Sequence, residues 1–196
     1  MLFQILAIII LLVFYGCYFI KMYSQKKKGI RTDHIGRGKG KKGLVLMIEL
    51  ALKVVTYLVP VVEVISIINN TSSMPFGVRC LGVVLGVLGD TVFIISVLTM
   101  RDNWRAGVAE DAKTELVTEG IYQYSRNPAF LGFDLVYIGI LLMFFNTGLF
   151  EITLLVILLL HLQIVNVEED FLIATFGQEY VEYRKKVRRY FGRRRG

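Results

Sequence analysis

Residues 128–167 read PAFLGFDLVYIGILLMFFNTGLFEITLLVILLLHLQIVNV, from Pro128 to Val167. Two apolar runs, about Phe130 to Phe145 and about Leu149 to Val167, are separated only by Asn146, Thr147 and Gly148. Each approaches the roughly 20 residues of helix that a bilayer core requires. A three-residue connection forces two such helices into a tight antiparallel hairpin. In a soluble domain of this length the apolar residues would be interrupted every few positions; here they come in runs long enough to cross a bilayer.

Working upstream, three more runs pass the same length test: about Leu2 to Ile20, Leu44 to Ile68 and Phe76 to Thr99. Hydrophobic residues make up 55% of the chain. The predicted fold is therefore all-α, an integral membrane helical bundle of about five transmembrane helices. Residues 1–99 would hold the first three crossings and a basic loop at 21–43, and residues 100–196 the polar, chemistry-bearing half. No basic segment precedes the first run and Lys21, Lys26, Lys27 and Lys28 follow it, which reads as a retained anchor rather than a cleaved signal.

Charge predicts the direction. Nine Lys or Arg stand against the single acid Asp33 between Lys21 and Gly43, and eight basic residues follow Val167. The connections 69–75 and 146–148 carry no charge. With five crossings, the basic loop, the 101–128 loop and the tail share one side, which the positive-inside tendency makes cytoplasmic, leaving the N-terminus outside. The membrane would be the plasma membrane of a prokaryote or the endoplasmic reticulum of a eukaryote. The net charge of +7 sits at the ends of apolar runs, which suits anionic lipid and not nucleic acid. Cys17 and Cys80 fall inside apolar runs without metal or redox spacing.

Charges within the runs need partners. Glu49 and Lys53, four apart, are expected to pair on one helix face, and Glu63 to pair with Arg79 near the outer ends of neighbouring helices. Asp90 has His161 as its prospective partner. Gly82-xxx-Gly86, with Gly89, matches the small-residue pattern for close helix packing.

Two polar segments can carry chemistry. The first runs from Arg101 to Pro128, with a turn at Glu119-Gly120. Asn127 is placed to cap the fourth helix and Pro128 to open it at its first position, so that helix presents its positive end to the loop. The second holds Glu168, Glu169 and Asp170 at the membrane surface, then a break at Gly177 and an aromatic, basic stretch.

The pattern Leu116-Val-Thr-x-Gly120-x-Tyr122-x-x-x-Arg126-x-Pro128, followed by Glu168-Glu169 and Phe176-Gly177-x-Glu179-Tyr180-x-x-Tyr183, resembles the C-terminal half of isoprenylcysteine carboxyl methyltransferases and related phospholipid methyltransferases. Asn103-Trp104 also fits. The resemblance covers roughly residues 101–191 and implies a membrane enzyme using S-adenosyl-L-methionine without a Rossmann domain. It implies that Leu116 and Val117 lend backbone contacts to the cofactor, that Tyr122 lines its pocket, that Asn127, Pro128, Ala129 and Phe130 cover it, and that Glu168 bonds its polar part. An acid, a helix N-terminus and aromatic faces suit a sulfonium cation with a zwitterionic tail. The implied substrate is lipid-like or prenylated and enters from the bilayer, and no metal is implied.

Two positions depart from the family. Asn127 stands where it usually has histidine, and Ile164 stands four residues before the matched glutamate, where carboxyl methyltransferases place an arginine. Ile164 leaves the acceptor open among carboxylate, amine and thiol. The leading reading is a carboxyl O-methyltransferase; the alternatives are a phospholipid amine N-methyltransferase and a non-catalytic membrane protein of the same fold. Methyl transfer needs alignment and exclusion of water rather than a protein nucleophile, so no catalytic residue is assigned.

Overall fold

A computed structural model describes residues 1–36, 42–70, 72–108 and 115–194. The middle of the basic loop (37–41), Thr71 of the uncharged 69–75 connection and the last tail residues (195–196) lie outside the described residues. Among the described residues seven α-helices are present: α1 (Leu2–Lys27), α2 (Leu44–Asn69), α3 (Phe76–Met100), α4 (Pro128–Met143), α5 (Thr147–Gln163), α6 (Glu169–Phe176) and α7 (Gln178–Lys186). A π-helical turn, Ile164–Glu168, joins α5 to α6. No strand forms among the described residues; two isolated bridges, Asp33 with Ala106 and Val187 with Arg193, tie loops together. The protein is a multi-pass membrane helical bundle, with four helices among the described residues long and apolar enough to cross.

The fourth run differs from the others. At 16 residues it rises about 24 Å, short of the roughly 30 Å hydrocarbon layer. It is also the central helix: Gly132, Val136, Tyr137, Gly139, Ile140 and Met143 are all buried. The large exposed hydrophobics, such as Leu12, Leu58, Val84 and Leu154, come instead from α1, α2, α3 and α5. A helix that, apart from Asp134, is apolar on every side is one that other helices surround.

Glycine sets how closely α3 and α4 meet. A methyl group at Gly82 would lie 2.6 Å from the Gly139 carbonyl oxygen, and one at Gly89 would lie 2.8 Å from that of Gly132. The two helices are antiparallel, and this seam uses glycines seven apart. Gly86, the other half of the expected pair, receives Ile10 of α1. Behind the seam, Phe14 packs against Phe93 and Phe133, and Phe93 packs edge-on against Trp104.

None of the three expected ion pairs forms. Lys53 reaches Asp33 at 3.8 Å, and Glu49 accepts the Gly36 N–H at 2.9 Å. Arg79 donates to Asn70 at 3.2 Å and lies over the Phe3 ring, while Glu63 accepts from the Tyr15 hydroxyl at 3.3 Å. His161 turns to the Tyr190 hydroxyl, at 2.5 Å, and Asp90 is buried with Oδ1 unpartnered. Helical spacing showed which residues could meet within one helix, but loops and α1 supplied nearer partners.

The loops between the helices are anchored at one end of the bundle. Gln25, fully buried, donates to the Trp104 carbonyl at 2.8 Å and accepts from the Thr32 hydroxyl at 2.6 Å. Lys28 pairs with Asp102 at 2.7 Å. These bonds hold residues 30–36 and 104–107 against each other and form one end wall of a cavity.

Candidate functional site

The segment before α4 is shaped by its turn residues. Gly120 has φ +57, a region that strains any residue with a side chain, and it opens a single 3₁₀ turn through Gln123 that buries Tyr122. Pro128 begins α4 at its first position, as the sequence predicts. Asn127 occupies the cap position, but its side chain makes no capping bond; its Nδ2 donates to the Arg189 carbonyl at 3.2 Å. The cap expectation is corrected: Nδ2 is drawn to the returning tail, and Oδ1 accepts from no N–H of the first turn of α4.

The tail folds back over this loop. The Arg126 N–H donates to the Arg188 carbonyl at 3.1 Å, and the Gly192 N–H donates to the Tyr124 carbonyl at 2.7 Å. Beneath it lies a charged cluster. Glu169 accepts from Arg126 at 3.0 Å and from Arg189 at 2.8 and 3.1 Å. Arg126 also donates to the Tyr180 hydroxyl at 2.7 Å. The Tyr183 hydroxyl donates to the Tyr122 carbonyl at 2.6 Å. Burial pushes the phenols of Tyr122, Tyr180 and Tyr183 above their ordinary value, and hydrogen bonding to Glu169 raises Arg189 further.

A cavity of about 460 Å³ runs beside α4. Its walls come from α1, α2, α4, α5 and residues 104–107, and most of that surface is apolar. Asp33, Lys53 and Arg105 stand at its loop end, and Phe19 and Tyr57 line it while remaining more than half exposed on the bundle surface. The volume falls in the range of small-ligand sites, about 300–1,000 Å³.

The residues singled out in the sequence fall into two groups around this cavity. Ala129 and Phe130 line it, and Asn127 and Pro128 are buried just before them. Leu116 packs on the cluster of Tyr180, Tyr183 and Val187; Val117 follows it, half-buried, and Tyr122 is tied to the same cluster through Tyr183. Glu168, half-buried, accepts from Gln163 at 3.4 Å. Neither Leu116, Val117, Tyr122 nor Glu168 is part of the cavity wall. Ile164 is fully buried and does not line it.

Sequence reasoning missed three of the residues that organise this region. Glu169 stood in the triple acid, yet only its meeting with Arg126 and Arg189 separates it from Glu168. Gln163 is 1% exposed and lines the cavity, with Oε1 lacking a hydrogen-bond partner. An orphaned buried acceptor between an apolar cavity and a carboxylate suits a cationic or hydrogen-bonding ligand. Arg105 lines the cavity and spends one nitrogen on the Asp102 and Trp104 carbonyls.

Known proteins resemble this region. The phospholipid methyltransferase profile matches residues 78–179. Protein-S-isoprenylcysteine O-methyltransferase of Saccharomyces cerevisiae is 33% identical over 109 residues, covering 55% of this chain and 46% of that protein. The Schizosaccharomyces pombe protein of the same name is 41% identical over 75 residues, 37% of this chain and 30% of its own. Protein-S-isoprenylcysteine O-methyltransferase B of Arabidopsis thaliana is 27% identical over 108 residues, 54% of this chain and 55% of its own. The chain spans about half the length of these curated relatives or less. The profile matches just over half of the 196 residues, from the first turn of α3 through the loop, the α4–α5 hairpin and the Glu169 helix to the start of α7, and the chain belongs to the phospholipid methyltransferase family.

Proposed function

We propose that this protein is a membrane-embedded methyltransferase of the isoprenylcysteine carboxyl O-methyltransferase type, taking its methyl group from S-adenosyl-L-methionine and passing it to an apolar, lipid-like acceptor. One observation carries the reading: Ala129 and Phe130 belong both to the stretch that the family resemblance assigns to the cofactor and to the wall of the apolar cavity. A donor held over residues 127–130 and an acceptor in the cavity would meet at that wall. The curated relatives supply the reaction class by their names.

The residues present suit the donor. Bound S-adenosyl-L-methionine supplies an electrophilic methyl group, which an acceptor attacks in line without a covalent protein intermediate. Glu168 offers a carboxylate, Gln163 Oε1 an unused acceptor, and the start of α4 a positive end for the donor's carboxylate. Leu116, Val117 and Tyr122 enclose the far side. The apolar cavity excludes water, which strengthens every charge interaction within it.

Charge favours a carboxylate acceptor over an ammonium headgroup. The charged residues lining the cavity are Lys53 and Arg105 against Asp33, leaving an excess positive charge at its loop end. Arg105 would do there what the family arginine, replaced by Ile164, does elsewhere. An amine acceptor would meet net repulsion. We also place the loop end and the tail on the cytoplasmic side, on the strength of their basic residues.

Calorimetric titration of the nanodisc-embedded protein with S-adenosylhomocysteine tests the reading. Wild type should bind in the micromolar range and Glu168→Ala at least tenfold more weakly. A well-folded wild type that binds none would make the chain a non-catalytic member of its family.

A further inference from the structure

The cavity has two unlike ends, and only one is accounted for by a charged headgroup. Its wall on α1 runs from Met22 to Tyr15 and on α2 from Leu52 to Pro60. These spans correspond to about 10–12 Å of depth at about 1.5 Å per residue. Tyr15 and Tyr137 line the far end. One turn beyond Pro60 lies Glu63, 1% exposed, whose Oε2 accepts from the Tyr15 hydroxyl at 3.3 Å and whose Oε1 has no partner. Its expected partner, Arg79, is engaged by Asn70 and Phe3. A buried carboxyl is thus held under the floor of an apolar cavity by a tyrosine in the cavity wall.

We infer that Tyr15, Tyr137 and Glu63 form a polar floor that limits how deep an apolar chain runs, and so determine the chain length this protein recognises. The inference rests on the proposed placing of the acceptor's chain in the cavity. An extended chain advances about 1.2 Å per bond, as a polypeptide does over its three backbone bonds per residue, so 10 Å holds about eight carbons. Each methylene buried along that path strengthens binding about fourfold. A further carbon presses on the hydroxyl–carboxyl pair, and leaving those buried groups unpaired forfeits about tenfold or more. A longer chain has to fold back against the floor, and its added carbons gain nothing.

Trp104 lines the cavity and is the one tryptophan of the chain, so its fluorescence reports occupancy. The test displaces a nitroxide-labelled alkyl carboxylate, which quenches Trp104, with n-alkyl carboxylates of increasing length, on protein in nanodiscs. Dividing each variant's affinities by those of wild type cancels partition into lipid. Wild type should gain about fourfold per carbon up to about eight carbons and then level off. Glu63→Gln keeps the polar floor and should keep the break. Tyr15→Ala combined with Glu63→Ala opens the floor as far as Glu63, about 4.5 Å beyond Pro60, and should move the break out by about three to four carbons. A wild-type series that rises without a break overturns the inference, as does a double variant that breaks at the wild-type length. If the double variant does not fold, Tyr15→Leu alone, referred to wild type in the same way, must move the break outward, and an unmoved break overturns the inference. Absence of any Trp104 quenching overturns the inference by a different route, because it removes the acceptor from the cavity.

Discussion

Glu169 should be the residue that locks the tail over the loop, and its removal should release about two orders of magnitude of local opening. The Glu169 side chain is 7% exposed and that of Arg126 is 3% exposed. Glu169→Ala leaves the Arg126 guanidinium buried with the Tyr180 hydroxyl as its remaining side-chain partner, and its Nε is already unpaired. Breaking a buried pair from one side costs about 3–5 kcal/mol. The Arg189 arm is worth less, since that side chain is 33% exposed and water screens it to about 1 kcal/mol at most. Taking the lower figure, about 3 kcal/mol, and about 1.4 kcal/mol per decade, the segment 187–194 should open about 100-fold more often in Glu169→Ala. Arg189→Ala should raise opening by less than tenfold.

Amide hydrogen exchange read by mass spectrometry measures this directly, because the Gly192 amide on the Tyr124 carbonyl and the Arg126 amide on the Arg188 carbonyl are bonded only when the tail is docked. Exchange of the α3–α4 seam serves as the internal reference for global stability. Replacing both partners, Arg126→Met with Glu169→Leu, should restore most of the protection, since a well-packed apolar pair is often no less stable than a buried ion pair. The reasoning is refuted if Glu169→Ala exchanges within about threefold of wild type, or if Arg189→Ala is equally damaging.

The other predictions test the scaffold. Gly139→Ala would place a methyl group 2.7 Å from the Gly82 carbonyl oxygen and the Gly86 nitrogen, and should cost about 1–3 kcal/mol by overpacking in denaturant unfolding of the detergent-solubilised protein; Gly16→Ala, which meets open space, should be silent. Tyr183→Phe strands the buried Tyr122 carbonyl and should cost about 1–3 kcal/mol, seen as faster exchange of residues 120–125. The Tyr183 phenol is held above its ordinary value by burial, so its contribution is complete below about pH 10 and is lost as the pH rises towards the folded value. An alkaline titration of tail protection should show that loss in wild type, and a smaller one in Tyr183→Phe.

How much of this was legible in the sequence follows from the range over which each residue acts. Pro128 starts α4 and Gly177, at φ +53, separates α6 from α7 because a missing N–H or a missing Cβ acts on its own backbone. The hairpin of α4 and α5 was equally readable, since three residues leave no other geometry. The partners of the intramembrane charges were not. Glu63 and Arg79 sit near one another in a linear diagram of crossings, but which side chain reaches which depends on how each helix is rotated, and α1 delivered Tyr15 to Glu63 before Arg79 could arrive. Arg189 was unreadable for a related reason. In sequence it is one cation among eight in a tail that suits acidic lipid, and nothing local separates it from Arg188 or Arg193. What separates it is the Tyr124 carbonyl, 68 residues away from the Gly192 amide that finds it. That backbone bond turns the chain so that Arg189 alone faces Glu169. The same return explains Asn127, whose side chain leaves its helix for the Arg189 carbonyl. Asn127 is thus tied to the docked tail, so exchanging it for the family's usual residue bears on tail docking as well as on the cofactor.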